Sequence, residues 1–295
     1  MGVFTRSDHG LSNQKTFSDV DIIIYTEGGE ISFNIDAILA DDTNYNRQSI
    51  DIKFWDCILK KHNFKKRYKL KALGSKSCSN YFCEKIKNNE ITGVAVFRDS
   101  DLDSILTTKY ESNLICYTKG YSWENDVYSE LVIIDYIESI YPILEDFDDI
   151  KKQIFSDYYK FNLIAKRLLI SELIFRKNSM KLITSLNGEQ FICCKQKPKF
   201  NKKNFLSKLS SEKSQLKFEK PHLIDNNILI DVCPILLTYG KLRAAFGNAI
   251  ITYYLSQVNK TKRYPKEIIE PSLIDKYKSS IFDPYYENLV RKLES

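Results

Sequence analysis

"GVAVFRDSDLD", Gly93 to Asp103, is the stretch on which the fold turns. Val94 to Phe97 is a short apolar run of strand length, and three carboxylates follow at alternate positions, Asp99, Asp101 and Asp103. Like charges packed this closely repel, so a positive group belongs among them. The plainer alternative is a solvated loop with a helix N-cap, a use to which Asp is well suited, and Asp103 fits that use best.

Outward from this stretch the first half of the chain alternates. Asp21–Glu27, "DIIIYTE", reads as a buried strand ending in a carboxylate, and Gly28-Gly29 turns into a helix carrying Ile31, Phe33, Ile35, Ile38 and Leu39. Ile50–Trp55 and Tyr68–Leu73 alternate like half-exposed strands. Gly74-Ser75 ends the second of these and caps a helix running through Cys83 and Ile86, and Asn113–Thr118 is a further strand. Strands separated by helices predict an α/β domain with a mainly parallel sheet flanked by helices. Ligands of such sheets bind beyond the C-terminal strand ends, which puts Glu27 and Asp99 on one edge, with Asp101 on the loop that follows.

The second half reads as largely helical. Tyr159 to Phe175 carries apolar residues at helical spacing, and a hairpin of Lys181–Leu186 with Glu189–Cys194 would turn at Asn187-Gly188. Ile228 to Leu255 closes with one or two buried helices. All seven prolines lie after residue 141 and seven of the ten glycines before residue 121, a shift that puts the expected boundary between a domain at 19–145 and a helical region at 146–295.

Composition narrows the class. With 43% hydrophobic and 28% charged residues the chain is that of a soluble globular protein. The N-terminus has no apolar core of a secretory signal, and the uncharged run Ala244–Asn259 is broken by Gly247, Asn248, Ser256 and Gln257, so it reads as a buried helix and not a membrane span. Seven cysteines without a secretion signal imply reduced thiols in a cytoplasm, and three histidines argue against a zinc site. The net charge of +6 is uneven: Lys60–Lys76 holds eight basic residues and no acid, Lys195–Lys220 nine lysines against two acids, and Glu124–Ile150 nine acids and no base. Charge runs are usually solvated faces, but two basic stretches around a carboxylate cluster suit a polyanion such as nucleic acid. Hard oxygen donors without His or Cys favour Mg²⁺ or Mn²⁺, with Glu27, Asp99, Asp101 and Asp103 as ligands, Glu27 being equally suited to general acid/base work.

A strand ending in Glu-Gly, "IIIYTEGGE", followed by a strand ending in Asp-x-Asp, "VAVFRDSDLD", resembles the TOPRIM domain of topoisomerases, primases and nucleases over roughly residues 19–140. "ALGSKSCSNYF", "GYSWENDVYSEL" and "YGKLR" extend the likeness to the AriB effector family of PARIS anti-phage systems. The resemblance implies a metal-dependent endonuclease with Glu27, Asp99 and Asp101 at its centre. It also implies tRNA as substrate, restraint by an AriA-like ATPase, and a homodimer when active. The chain carries no Walker A sequence, so any ATP-driven step would come from that partner. Lys76 would sit at a helix N-terminus where phosphate binds, or be an ordinary solvated lysine. Glu124 would be a further catalytic acid or a helix-start acid. Tyr121 and Trp123 would stack an unpaired base or lie in the core. A DNA nuclease on the same residues and a non-catalytic adaptor are the competing readings, and a Glu27→Ala protein is expected to fold and lose activity.

Overall fold

The structure is a computed structural model describing residues 7–29, 31–39, 48–106, 108–140, 147–184, 188–194, 197–214, 232–259, 265–280 and 282–295. The chain divides into two units: residues 1–100, 108–119 and 281–295 form the first, and 101–107 with 120–280 the second.

The first unit is a four-stranded, wholly parallel sheet. Strands β1 (Ile22–Thr26), β2 (Tyr68–Ala72), β3 (Val94–Arg98) and β4 (Ile115–Tyr117) lie in the order β2-β1-β3-β4. The two central strands are buried along their whole length, as near-continuous apolar sequence demands in a sheet covered on both faces. One face carries Ile23, Tyr25, Val94, Val96, Ile115 and Tyr117, packed on Leu11 of α1 (Asp8–Phe17) and on Cys78, Phe82, Cys83 and Ile86 of α4 (Lys76–Lys87). On the other face Phe97 meets Trp55 of α3 (Ile50–Lys61), their ring centroids 4.6 Å apart. A short α2 (Ile35–Leu39) precedes α3.

Ile50–Trp55 is therefore the start of a helix, not a strand. The apparent alternation lasts only six residues, and the buried positions are Phe54, Trp55, Cys57, Ile58 and Leu59, of which Phe54, Trp55, Ile58 and Leu59 are spaced as on one helical face. The other predicted strands and the helix capped at Ser75 are present; the Ser75 hydroxyl accepts from the Cys78 N–H at 3.3 Å.

The second unit is mostly helical: α5 (Glu124–Val127), α6 (Glu130–Ile140), α7 (Phe147–Asn162), α8 (Ala165–Lys177), α9 (Lys202–Lys213), α10 (Gly240–Asn259) and α11 (Lys266–Ser280). The helix expected over Tyr159–Phe175 is two helices, parted at Leu163-Ile164. The small antiparallel pair is β5 (Ile192–Cys193) with β6 (Lys199–Phe200), so the hairpin sits one segment later than expected; Asn187 lies outside the described residues. Of the Lys-rich stretch, residues 195–196 and 215–220 also lie outside them, and α9 occupies most of the remainder.

The last helix, α12 (Pro284–Glu294), belongs to the first unit, whereas the sequence placed everything after residue 145 in the second region. Tyr286 is fully buried against Phe54 and Trp55, and Asp283 pairs with Lys119 at 2.8 Å. Among the described residues no helix is long and apolar enough to cross a membrane.

Candidate functional site

Glu27 and Asp99 leave neighbouring parallel strands at the same sheet edge. The register pairs Thr26 with Phe97, and the Glu27 N–H donates to the Phe97 carbonyl at 3.0 Å. One step further on, Glu27 is level with Arg98, and Asp99 with Gly28. The two-residue period of a strand then assigns the acids to different faces. Ile23, Tyr25 and Glu27 alternate onto the α4 face together with Val94, Val96 and Arg98; Phe97, and Asp99 after it, carry the opposite parity.

On the α4 face the Arg98 Nε lies 3.2 Å from Glu27 Oε2. The Arg98 Nη1 donates to the Cys83 sulfur at 3.4 Å, and the guanidinium stacks 5.5 and 5.8 Å from the rings of Tyr110 and Tyr117. Burial opposes the guanidinium charge, but the Glu27 carboxylate and its other neighbours outweigh it and hold Arg98 above its ordinary range. Burial pushes the Cys83 thiol up to about 11, against the pull of Arg98, so that thiol is neutral. The Ser79 hydroxyl of α4 comes within 3.5 Å of Glu27 Oε2. Lys76 opens the same helix three residues earlier, in a first turn without acids, as a helix N-terminus that receives an anion would be built.

On the other face a residue that the sequence reading passed over comes into place. A Cβ added to Gly28 would lie 2.0 Å from the Asp51 carboxyl group, so Asp51, in the first turn of α3, packs directly over the glycine beside Asp99. Asp51 was hidden by the misreading of Ile50–Trp55 as a strand; recognising a helix there would have put an acid at its N-terminus, facing the strand ends.

Asp101 and Asp103 belong to the second unit. Asp101 takes a left-handed backbone (φ 44°), and its N–H donates to the Tyr121 carbonyl at 2.7 Å. Residues 101–106 form turns, so Asp103 caps no helix; it is buried. Tyr121 is held well above the usual phenol range, by burial first and then by the Asp101 charge. Its hydroxyl receives a hydrogen bond from Arg176 at 3.0 Å, and Arg176 pairs with Glu172 at 2.6 Å. Arg176 is thus a second cation in the field of a motif carboxylate. Tyr121 and Trp123 are both buried, which removes them as stacking platforms.

Glu124 is almost wholly buried at the start of α5, where Lys241 Nζ lies 2.8 Å from one carboxylate oxygen and the Ser122 hydroxyl 2.5 Å from the other. The backbone of Gly240 presses on the same group: an added Cβ would stand 1.8 Å from the Ser122 oxygen and 2.9 Å from Glu124 Oε2. The Asn125 side chain, which donates to the Thr238 carbonyl at 2.8 Å, ties this segment to the chain entering α10. Two motif fragments singled out separately, Glu124-Asn125 and Gly240-Lys241, therefore meet. Burial, and then the Glu124 charge, push the Glu270 carboxyl above its ordinary range in the same network, against the opposing pull of Lys266 and Lys241.

The basic stretch Lys60–Lys76 is less available to a polyanion than its composition suggests. Lys60 pairs with Asp56, Arg67 with Asp19 and Asp21, and Lys71 is buried with its amine 3.4 Å from the Gln14 side-chain oxygen. The acids at the sheet edge are hard oxygen donors suited to Mg²⁺ or Mn²⁺, but among the described residues no three potential ligands converge, and Glu27 already faces a cation. As folded, they do not fit a bound metal ion. No protein-family model and no curated protein matches the chain.

Proposed function

We propose that this chain is an endonuclease of the TOPRIM kind, a phosphodiester hydrolase that cuts RNA, tRNA foremost, as a cytoplasmic effector of an anti-phage system. Its restraint by an AriA-like ATPase and its self-association on release belong to the same reading. The observation that carries it is the exit edge of the parallel sheet. Glu27 and Asp99 arrive there on adjacent strands, Asp51 joins them from α3, and Lys76 opens α4 at the same end. A carboxylate at that edge accepts a proton from the attacking water as its oxygen bonds to phosphorus, the P–O bond to one ribose oxygen breaks and that oxygen leaves taking up a proton from solvent, while Lys76 with the α4 N-terminus binds the phosphate. The roles of Asp101, Asp103 and Glu124 rest on their place in the motif. The resemblance adds Mg²⁺ or Mn²⁺, which the donors do not hold as folded; the steps above are those of the chain's own groups.

One observation favours a second reading. The ion pair that occupies Glu27 suits a TOPRIM-like core retained as a non-catalytic adaptor for the ATPase. The two separate in cells that briefly express the chain or its Asp99→Asn variant, with total RNA resolved on a denaturing gel beside chromosomal DNA. The nuclease predicts discrete tRNA-sized fragments with the unaltered chain only. Degraded DNA with intact RNA would redirect the proposal to DNA, and intact nucleic acid of both kinds, with the ATPase co-expressed and phage-triggered, supports the adaptor.

A further inference from the structure

We infer that Glu27 is committed to Arg98 as the counter-ion of a buried guanidinium, which makes Arg98 the positioning residue of the acidic edge. A divalent cation taken up at the paired oxygen of Glu27, Oε2, must then displace that guanidinium. The inference does not depend on which reaction the edge performs.

The Arg98 side chain is 1% exposed and that of Glu27 16%. A guanidinium does not lose its proton at any ordinary pH, so a desolvated one requires a full negative charge in contact. Its described contacts supply one. The Cys83 thiol is neutral, the Tyr110 and Tyr117 rings offer only the negative face of a quadrupole, and the Glu27 carboxylate carries the charge. The pairing is built into the sheet: Glu27 and Arg98 are lateral neighbours on parallel strands and share the α4 face, so the backbone register brings them together. The cation is an arginine within the opening motif itself, one residue before Asp99, and its charge is met by Glu27.

A consequence concerns Glu27→Ala. Removing one partner of a buried pair strands the other, so this substitution damages the fold as well as any chemistry, contrary to the expectation from sequence. Activity lost in Glu27→Ala therefore does not identify Glu27 as catalytic.

The test is a double-substitution cycle on the full chain with Glu27→Gln, Arg98→Met and the pair together, read by urea unfolding and by thermal melts with and without Mn²⁺. Each single change is expected to lower the folding equilibrium constant on the order of a hundredfold, with the double variant recovering above the poorer single one. Arg98→Lys, which keeps the charge, is expected to lose less than Arg98→Met. Mn²⁺ is expected to stabilise Arg98→Met, in which the Glu27 carboxylate no longer faces the guanidinium, and to leave the unaltered chain unmoved. Additive losses, equal losses in Arg98→Lys and Arg98→Met, or Mn²⁺ stabilising the unaltered chain as much as Arg98→Met would each overturn the inference. None of these measurements requires nuclease activity, so the nuclease proposal stands or falls separately.

Discussion

The Asp51 carboxyl group occupies two environments whose responses to its removal differ in size. As an acid in the first turn of α3 it contributes about 0.3–1 kcal/mol through the helix terminus. In the proposed nuclease the same acid, packed over Gly28, takes part in proton transfer, a role worth about 10²–10⁴ in rate. Asp51→Asn is therefore expected to shift the melting temperature by only a few degrees while cutting fragment release about a hundredfold, both measured on the same preparation. His62 makes a different prediction. Burial, and then the Lys61 charge, hold its imidazole below 6.5, the ordinary value, so the folded state binds a proton less readily than the unfolded chain. Its ring stacks edge-on against Phe282, 5.9 Å between centroids. The stability that follows from a neutral His62 is complete above pH 6.5 and is lost as the pH falls from there through the lowered value. Melts at about pH 7 and about pH 5 are expected to differ less in His62→Phe, which keeps the ring and discards the proton, than in the unaltered chain.

Among the elements, α4 is the one whose entry most affects the edge. Loss of the Ser75 cap in Ser75→Ala is expected to cost about 1 kcal/mol, measurable by urea unfolding, and to loosen the turn that carries Lys76 and Ser79 toward Glu27. This element was legible because Gly74-Ser75 punctuates it and Phe82, Cys83 and Ile86 repeat at helical spacing. β1 and β3 were legible as apolar runs closed by acids. Parity along each strand was equally readable: Ile23-Tyr25-Glu27 and Val94-Val96-Arg98 both alternate. What no single strand states is the register between them, which is a tertiary fact, and the Glu27–Arg98 contact follows only from it. The failure at Ile50–Trp55 had another origin. Six residues of alternation do not outweigh a helical period that becomes visible only through Leu59, and the error concealed Asp51 with it. The meeting of Glu124 with Lys241 spans more than a hundred residues and has no local signature at all.

At the scale of the whole molecule, the two tryptophans fall one to each unit, Trp55 in the first and Trp123 in the second, and both are buried. Emission from a Trp123→Phe chain then reports the first unit and from a Trp55→Phe chain the second. Tyr286→Ala on α12 empties a site enclosed by Phe54 and Trp55 and removes the acceptor of the Lys119 N–H bond, at a cost of about 3–5 kcal/mol. The expected outcome is a lowered urea midpoint in the Trp55 signal with the Trp123 signal unmoved.

That a helix from residues 284–294 completes a sheet whose last strand ends at Tyr117 also sets a clock during synthesis. The ribosome must make the entire second unit before the piece that closes the first emerges, an interval of about ten to thirty seconds at ordinary elongation rates. Throughout that interval Trp55 and Phe54 lack their partner ring, and the nascent sheet carries Glu27 and Asp99 on an unfinished scaffold. For a chain whose proposed activity harms the cell that makes it, late closure delays a completed edge until the whole second unit has already been made.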